Sequence, residues 1–311
     1  VWRNSAIGTV MTGGVRLSDR PLRHRLFGSP RFSDLLAGQH VLISGASSGI
    51  GRAVALKVAD AGATAVLVAR SADKLQELMV TIEQRGGRAR VYPADLSRST
   101  SAQALLAKLA SDGVVIDVLV NNAGRSIRRP IEQAYERVHD YERTMALNYF
   151  GALRLILGLL PGMRTRKRGH IINVSSAGVQ MATPLFSAYI ASKAALDAFT
   201  RVAAGETRSD GVHFTTVHMP LVRTPMIAPT EEYQHVPTLS PEQAADIVMR
   251  ALVTHEKQLG TRLARLFSLA HIVAPQAVER LLDVGHRMLA DGEHDRVLRD
   301  APAELAVAVA A

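Results

Sequence analysis

The run Gln39-His40-Val41-Leu42-Ile43-Ser44, followed at once by Gly45-Ala46-Ser47-Ser48-Gly49-Ile50-Gly51, constrains this chain more than any other stretch. Its apolar centre reads as a buried strand and its glycines as a tight turn, and Ile50, Val54, Leu56 and Val58 then begin a helical pattern. Glycines let a backbone approach a ligand closely, and the free amides of a helix N-terminus point at an anion. Strand, turn and helix together therefore make a pyrophosphate site. The spacing is Gly-x-x-x-Gly-x-Gly and not Gly-x-Gly-x-x-Gly, so for this stretch alone a glycine-rich turn without ligand stays an alternative.

Strand-like runs recur near 40–45, 64–70, 88–94, 116–122, 170–176 and 213–219, with helical stretches near 50–61, 72–85, 99–111, 131–163 and 188–207 between them. This alternation predicts one α/β domain built on a doubly wound parallel sheet, with helices on both faces and ligands at the carboxyl ends of the strands. Gly45 to Gly51, Asn121 to Gly124, Ser175 with Ser176, and Met219 to Thr224 all follow strands and should share one cleft. Ser240-Pro241-Glu242 marks a helix start, with a capping serine and Pro in the first turn. Residues 1–37 read as a basic arm, 38–258 as the catalytic domain and 259–311 as an amphipathic helical extension. For that extension a lid, a dimer contact, a membrane-surface face and plain packing are all open.

Tyr189 and Lys193, in Tyr189-Ile190-Ala191-Ser192-Lys193, place a phenol and an ammonium one helical turn apart on one face. The positive charge should favour the phenolate and pull the tyrosine pKa down from about 10. That would make a general acid useful near neutral pH. On spacing alone such a pair is usually a solvated helix face. It gains weight from Val118-Leu119-Val120-Asn121-Asn122-Ala123-Gly124 and from His170-Ile171-Ile172-Asn173-Val174-Ser175-Ser176, whose last serine stands thirteen residues before Tyr189.

With the glycine-rich turn, these segments resemble the short-chain dehydrogenase/reductase family over about residues 38 to 255. The resemblance implies a single Rossmann-like sheet of strand order 3-2-1-4-5-6-7. It also implies Tyr189 as proton donor, Lys193 lowering its pKa and holding the nicotinamide ribose, Ser176 rather than Ser175 orienting the carbonyl, and Asn148 tying Lys193 to a water path. For the cofactor it implies Gly45, Ser47, Ser48, Gly49, Ile50 and Gly51 in the turn, and Asn122, Ala123 and Gly124 after the fourth strand. Asp95 would lie beside the adenine, and Pro220, Val222 and Thr224 near the nicotinamide. The strand Thr64 to Ala69 ends on Arg70, not on the carboxylate that NAD-preferring folds place there. A guanidinium suits a ribose 2′-phosphate, so NADPH is expected.

Composition narrows the rest. The absence of cysteine excludes disulfides, metal-thiolate sites and a catalytic thiol, and no metal is expected. A net charge of +9 favours acidic partners, but with aromatics at 5% and no interleaved basic and aromatic stripe, nucleic acid is not expected. No run of about eighteen uncharged apolar residues is evident, and residues 1–31 carry six arginines without an apolar core. A cytoplasmic homo-oligomer is therefore expected, with contact at a membrane surface open. Val1 stands where Met would begin a chain, so an upstream segment is left open.

For the substrate, Asn122 to Arg129, His139 to Met145, Leu147 to Gly151 and Met219 to Thr230 resemble bacterial fatty acyl-CoA reductases of wax-ester synthesis. They also resemble the C-terminal reductase domain of two-domain fatty acyl-CoA reductases. A long-chain acyl-CoA or fatty aldehyde is the expected substrate. Arg125, Arg128 and Arg129 should stand near the coenzyme A phosphates, and Met181, Leu185, Phe186, Met226 and Ile227 could line an acyl channel. Arg164, Arg166, Lys167 and Arg168 should lie at the opposite sheet edge, as solvated surface or a membrane-facing patch. A ketone reductase on a 3-oxoacyl or steroid-like substrate is the second reading. A non-catalytic NADPH-binding module is the third, though a binding module has no need of Ser176, Tyr189 and Lys193 together.

Overall fold

Seven parallel strands make one sheet in the computed structural model, which describes residues 36–228 and 238–284. The arm expected at 1–37 and the end of the extension expected at 259–311 lie almost wholly outside the described residues. The strands are β1 (His40–Ser44), β2 (Thr64–Ala69), β3 (Arg88–Pro93), β4 (Val118–Asn121), β5 (Gly169–Ser176), β6 (Val212–Met219) and β7 (Gln258–Gly260). Their order is β3-β2-β1-β4-β5-β6-β7, the Rossmann-like order expected. It reverses between β1 and β4, where Val41, Leu42 and Ile43 pair with Val118, Leu119 and Val120. The seventh strand starts at Gln258, so the sheet runs past the expected domain end and into the extension.

Strand residues alternate between two cores, as a pleat requires. Val41, Ile43, Leu67, Val120 and Ile172 face α1 (Gly49–Asp60), α2 (Ala72–Gln84) and α7 (Pro241–Thr254). Leu42, Val66, Leu119 and Ile171 face α3 (Ser99–Ser111), α4 (Val138–Thr165) and α6 (Ser187–Glu206). Between these last two stands the short α5 (Ala177–Met181), and α8 (Arg262–Val273) follows β7. Helix starts match their sequence signals. Ser240 Oγ accepts from Gln243 N at 3.2 Å while Gln243 returns a bond to Ser240 N at 2.8 Å, a complete capping box. Asp73 lies in the first turn of α2, where the dipole favours it.

The helix expected over 131–163 is a 3₁₀ turn at Ile131–Gln133 followed by α4, which contains a π-helical turn at Ala146–Gly151. Among the described residues α4 is the one helix long and apolar enough to cross a membrane. Its Leu155, Ile156 and Met163 are instead fully buried against the sheet. Phe150 and Leu157 on the same helix are exposed, and 28% of its most apolar window is buried.

At the amino edge of the sheet the His170 ring is 4% exposed and sits edge-on to His255 at 4.6 Å, while His255 stacks on His213 at 4.4 Å. Burial first, and the two neighbouring imidazoles second, hold His170 well below its ordinary pKa. An unfolded histidine takes a proton near pH 6.5 and the folded one does not. This contribution to stability is therefore present above about pH 6.5 and is lost as pH falls, by up to about 1.4 kcal/mol per pH unit. Denaturant unfolding between pH 5 and 7.5 should show this slope, and His170→Asn should flatten it. An equal slope in the variant would locate the proton uptake elsewhere.

Candidate active site

The turn after β1 is glycine-rich because Gly45 and Gly49 have positive φ, and because neighbouring backbone comes too close to Gly45 and Gly51 for a Cβ. Gly45 (φ +69°) would place one 2.9 Å from Ala123 Cα, and Gly49 (φ +52°) 3.0 Å from Thr224 Cγ2. A Cβ on Gly51 would lie 2.3 Å from the Gly45 carbonyl oxygen. Gly51 thus packs behind the turn, while Gly45, Ser47, Ser48, Gly49 and Ile50 line the cleft itself. Ser44 Oγ accepts from the amides of Asn122 and Ala123, each at 3.0 Å, and Asn122 Nδ2 donates to Ser44 O at 3.0 Å. These bonds lock the ends of β1 and β4 together at the point where the strand order reverses.

One cleft of about 1140 Å³ runs along the carboxyl ends of the strands and gathers nearly every expected residue. Ser176, Tyr189 and Lys193 line it, with Asn122, Ala123, Gly124, Pro220, Val222, Thr224, Arg70 and Asp95. Asn148 stands behind it, 1% exposed, within the π-helical turn. Its Oδ1 accepts from Arg125 N at 2.8 Å, and its Nδ2 donates to Arg125 O at 2.8 Å and to Ser192 Oγ at 2.9 Å. Ser192 Oγ in turn donates to Tyr189 O at 2.7 Å, so the asparagine reaches α6 through its backbone.

Spacing did not show what holds α6 at this depth. Asn121 Nδ2 donates to Asn173 Oδ1 at 2.8 Å, and Asn173 Nδ2 to Thr200 Oγ1 at 2.8 Å, which ties β4, β5 and α6 together. Lys193 Nζ donates to Val174 O at 2.7 Å. One turn further on, Asp197 Oδ2 meets His218 Nε2 at 2.8 Å, both side chains 5% exposed. Ser176 caps α5, accepting from Gly178 N at 3.1 Å, and its hydroxyl is near enough to Tyr189 to favour the phenolate. Ser175 is buried, and its Oγ has no protein partner.

The expected lowering of the Tyr189 pKa is absent, and this corrects the reading from spacing. Burial pushes the phenol up to about 12, the Ser176 hydroxyl works against that rise, and the charge of Asp197 adds to it. Burial likewise brings Lys193 down to about 8, with Asp197 opposing the fall. Same-face spacing says nothing of depth, and here desolvation outweighs a partner four residues away.

At one end of the cleft Arg70 is joined by Lys74, a cation the sequence reading missed because it lies one turn into α2. Asp95 accepts from Ser97 Oγ at 2.7 Å and Ser97 N at 3.1 Å; the serine and, more weakly, Arg70 and Arg98 hold its carboxyl below the usual range. A turn that excludes Cβ atoms, helix amides behind it and two cations beyond fit a phosphorylated dinucleotide.

The arginines divide. Of the three arginines expected at the mouth, Arg128 is among the residues that line the cleft, while Arg129 donates to Asp140 Oδ2 at 3.0 Å and the Arg125 backbone is bound to Asn148. Asp140, 2% exposed, draws in Arg129, Arg137 and Arg143, and together they hold its carboxyl at about 2. Arg164 and Arg168 pair with Asp210 and Asp117 at 2.6 Å each, at the far edge. Met181, Phe186, Met226 and Ile227 line the other end of the cleft, whereas Leu185 is buried behind it. Thr261 and Leu263, from the C-terminal extension, join that wall.

Fold and cleft together define a dinucleotide-dependent oxidoreductase. The sequence matches the short chain dehydrogenase family over residues 39–235, and the chain belongs to that family. It is 48% identical over 257 residues to a fatty acyl-CoA reductase of Acinetobacter baylyi, covering 83% of this chain and 87% of that protein. A fatty acyl-CoA reductase of Mycobacterium tuberculosis is 46% identical over 248 residues, covering 79% and 84%. Among solved structures, a metagenomic short-chain oxidoreductase in complex with NADP is 32% identical with a TM-score of 0.63, covering 73% of this chain and 97% of that one.

The lysine sets a pH limit that can be read directly. Lys193 carries its proton below about pH 8 and loses it above, whereas Tyr189 keeps its own up to about 12. The rate per unit of reduced dinucleotide, kcat/KM for the cofactor, reports groups on the free enzyme. It should fall as pH rises through about 8. A profile flat to pH 10 would mean that the Lys193 charge plays no part.

Proposed function

We propose that this oxidoreductase uses NADPH to reduce the carbonyl of a long-chain fatty acyl-CoA, or of the fatty aldehyde derived from it. One observation carries the reading: a single cleft joins a two-cation end at Arg70 and Lys74, the group Ser176, Tyr189 and Lys193, and an apolar wall of Met181, Phe186, Met226, Ile227 and Leu263. The names of the relatives support the substrate class, and the bound NADP of the solved neighbour supports the cofactor.

When bound, the dinucleotide supplies a hydride to the carbonyl carbon. Ser176 and Tyr189 offer hydroxyl hydrogens to the carbonyl oxygen, which gathers negative charge as the carbon is reduced. Tyr189 passes its proton to that oxygen, and Lys193, four residues on in the helix, carries the positive charge that stabilises the phenolate left behind. In this reading Lys193 acts on the product of proton transfer more than on the resting phenol. Asn148 positions the tyrosine through Ser192. With a thioester the resulting hemithioacetal breaks its C–S bond, the thiolate departs, and the oxygen returns its proton to the Tyr189 phenolate as the aldehyde carbonyl forms. With an aldehyde the same protonation ends at a primary alcohol.

A homo-oligomer belongs to the proposal, since Phe150 and Leu157 on α4 and Val202 on α6 are apolar and exposed. So does a cytoplasmic location, with peripheral contact at a membrane.

Arg70→Asp should lower the ratio of NADPH to NADH efficiency at least tenfold, and Lys74→Glu should lower it further. An unchanged ratio in the double variant would remove the 2′-phosphate assignment. Free thiol should appear in step with NADPH oxidation when a long-chain acyl-CoA is the substrate, and Tyr189→Phe should abolish both, roughly a hundredfold or more, with NADPH still bound. Oxidation with aldehyde or 3-oxoacyl substrates and no thiol from acyl-CoA would point to the aldehyde or ketone reading. NADPH binding without turnover on any of the three would leave only a binding module.

A further inference from the structure

Asp197 is a buried carboxylate that the cleft itself does not use. It lies one turn beyond Lys193 on α6, and neither it nor its partner His218 lines the cleft. An ionised carboxylate can only accept, so His218 Nε2 donates to Asp197 Oδ2, at 2.8 Å. That bond leaves Oδ1 without a protein partner. A tie between α6 and the sheet needs no charge, since Asn121, Asn173 and Thr200 already make one from amides and a hydroxyl. A carboxylate at that depth is costly unless a positive charge offsets it. Lys193, equally buried, is a cation one turn away.

We propose that Asp197, held in place by His218, is a positioning residue for the reaction: its charge keeps Lys193 an ammonium in a dry site, ready for the phenolate that proton transfer leaves on Tyr189. The inference rests on the proposed mechanism, in which that ammonium stabilises the phenolate. The Lys193 Nζ bond goes to Val174 O, so Asp197 acts through space and leaves the lysine able to meet a second anion. Few other titratable groups surround the lysine among the described residues. Its own helix brings Tyr189, β6 brings His218 behind the aspartate, and the residues of α5 carry none. From α4, Asn148 Oδ1 and Lys193 Nζ lie 3.5 and 3.6 Å from the place of a Cβ on Gly124, and the amide is uncharged. Tyr141 is bonded to Ser187, and Asp140 is held by three arginines. Burial lowers the Lys193 pKa to about 8 and Asp197 opposes the fall. The same charge also disfavours the phenolate, but from two turns away.

The experiment is a ¹³C NMR titration of the lysine side chains in the full chain. Only six lysines occur, and the Lys193 signal is the one lost in Lys193→Met. Its midpoint should lie at about 8. Asp197→Asn should lower it by on the order of one pH unit, and the alkaline limb of kcat/KM for the cofactor should move with it. Asp197→Asn with His218→Gln replaces the pair by two amides and should do the same, whereas His218→Gln alone keeps the charge and should leave the midpoint in place. A midpoint unmoved in either folded uncharged variant would overturn the inference. So would loss of the fold in both, since the pair would then serve only to hold the helix. A lowered midpoint in a chain that turns over no carbonyl would support the pairing while counting against the proposed function, so the two can fail separately.

Discussion

The anchoring of α6 to the sheet is the contact on which the rest of the site depends. Asn121, Asn173 and Thr200 form a buried chain of hydrogen bonds, Asp197 pairs with His218, and Lys193 Nζ ends on the carbonyl of Val174. A buried polar group left without its partner costs about 1–3 kcal/mol, while apolar packing tolerates small slips. The polar chain therefore fixes where along β5 the helix sits, which packing alone would leave looser. Tyr189 and Ser176 meet because that register is fixed: one ends β5 and the other lies in the first turn of α6.

The cofactor side rests on a second exclusion, of side chains and not of slippage. Gly45 and Gly51 let the ends of β1 and β4 approach within distances that a Cβ would prevent, and Gly49 holds a positive φ beside the Thr224 side chain. Ser44 then binds two amides of the neighbouring strand end. The amides of Gly45 and Ala46 also bind Val68 O, so the turn is fixed to β2 as well. Arg70 and Lys74 come from the next unit along the sheet, so under the proposed assignment nucleotide selectivity could change without disturbing the turn.

The strands, the glycine turn and the Ser, Tyr and Lys positions were legible in sequence because each is a local pattern: an apolar run, a glycine spacing, a helical repeat. What stayed hidden was non-local. Thr200 finds Asn173 across 27 residues, and Asn173 finds Asn121 across 52. Asp140 draws in Arg129, which the sequence places equally well at a substrate phosphate. Leu263 reaches the cleft because β7 continues the sheet beyond the expected domain end, and a strand of three residues leaves almost no periodic signal. Depth was invisible as well, since a repeat of four states direction and not surroundings.

That last gap changes how the pair would work in the proposed mechanism. A tyrosine whose pKa is already low would be partly ionised before the substrate arrives, and so a poor hydrogen-bond donor to a carbonyl. Burial pushes the Tyr189 phenol up to about 12, so in the proposed mechanism it would keep its proton until the substrate oxygen takes it. The difficulty moves to the next instant, when a buried phenolate must exist. Lys193 is the nearby group that can meet that demand, and Asp197, eight residues beyond Tyr189 and paired with His218, resists the loss of its charge. Desolvation that raises the cost of the phenolate also lowers the dielectric and strengthens its attraction to the ammonium. Burial and pairing are then two parts of one arrangement: the dry site keeps the proton in place until the oxygen needs it, and the lysine charge makes its departure feasible.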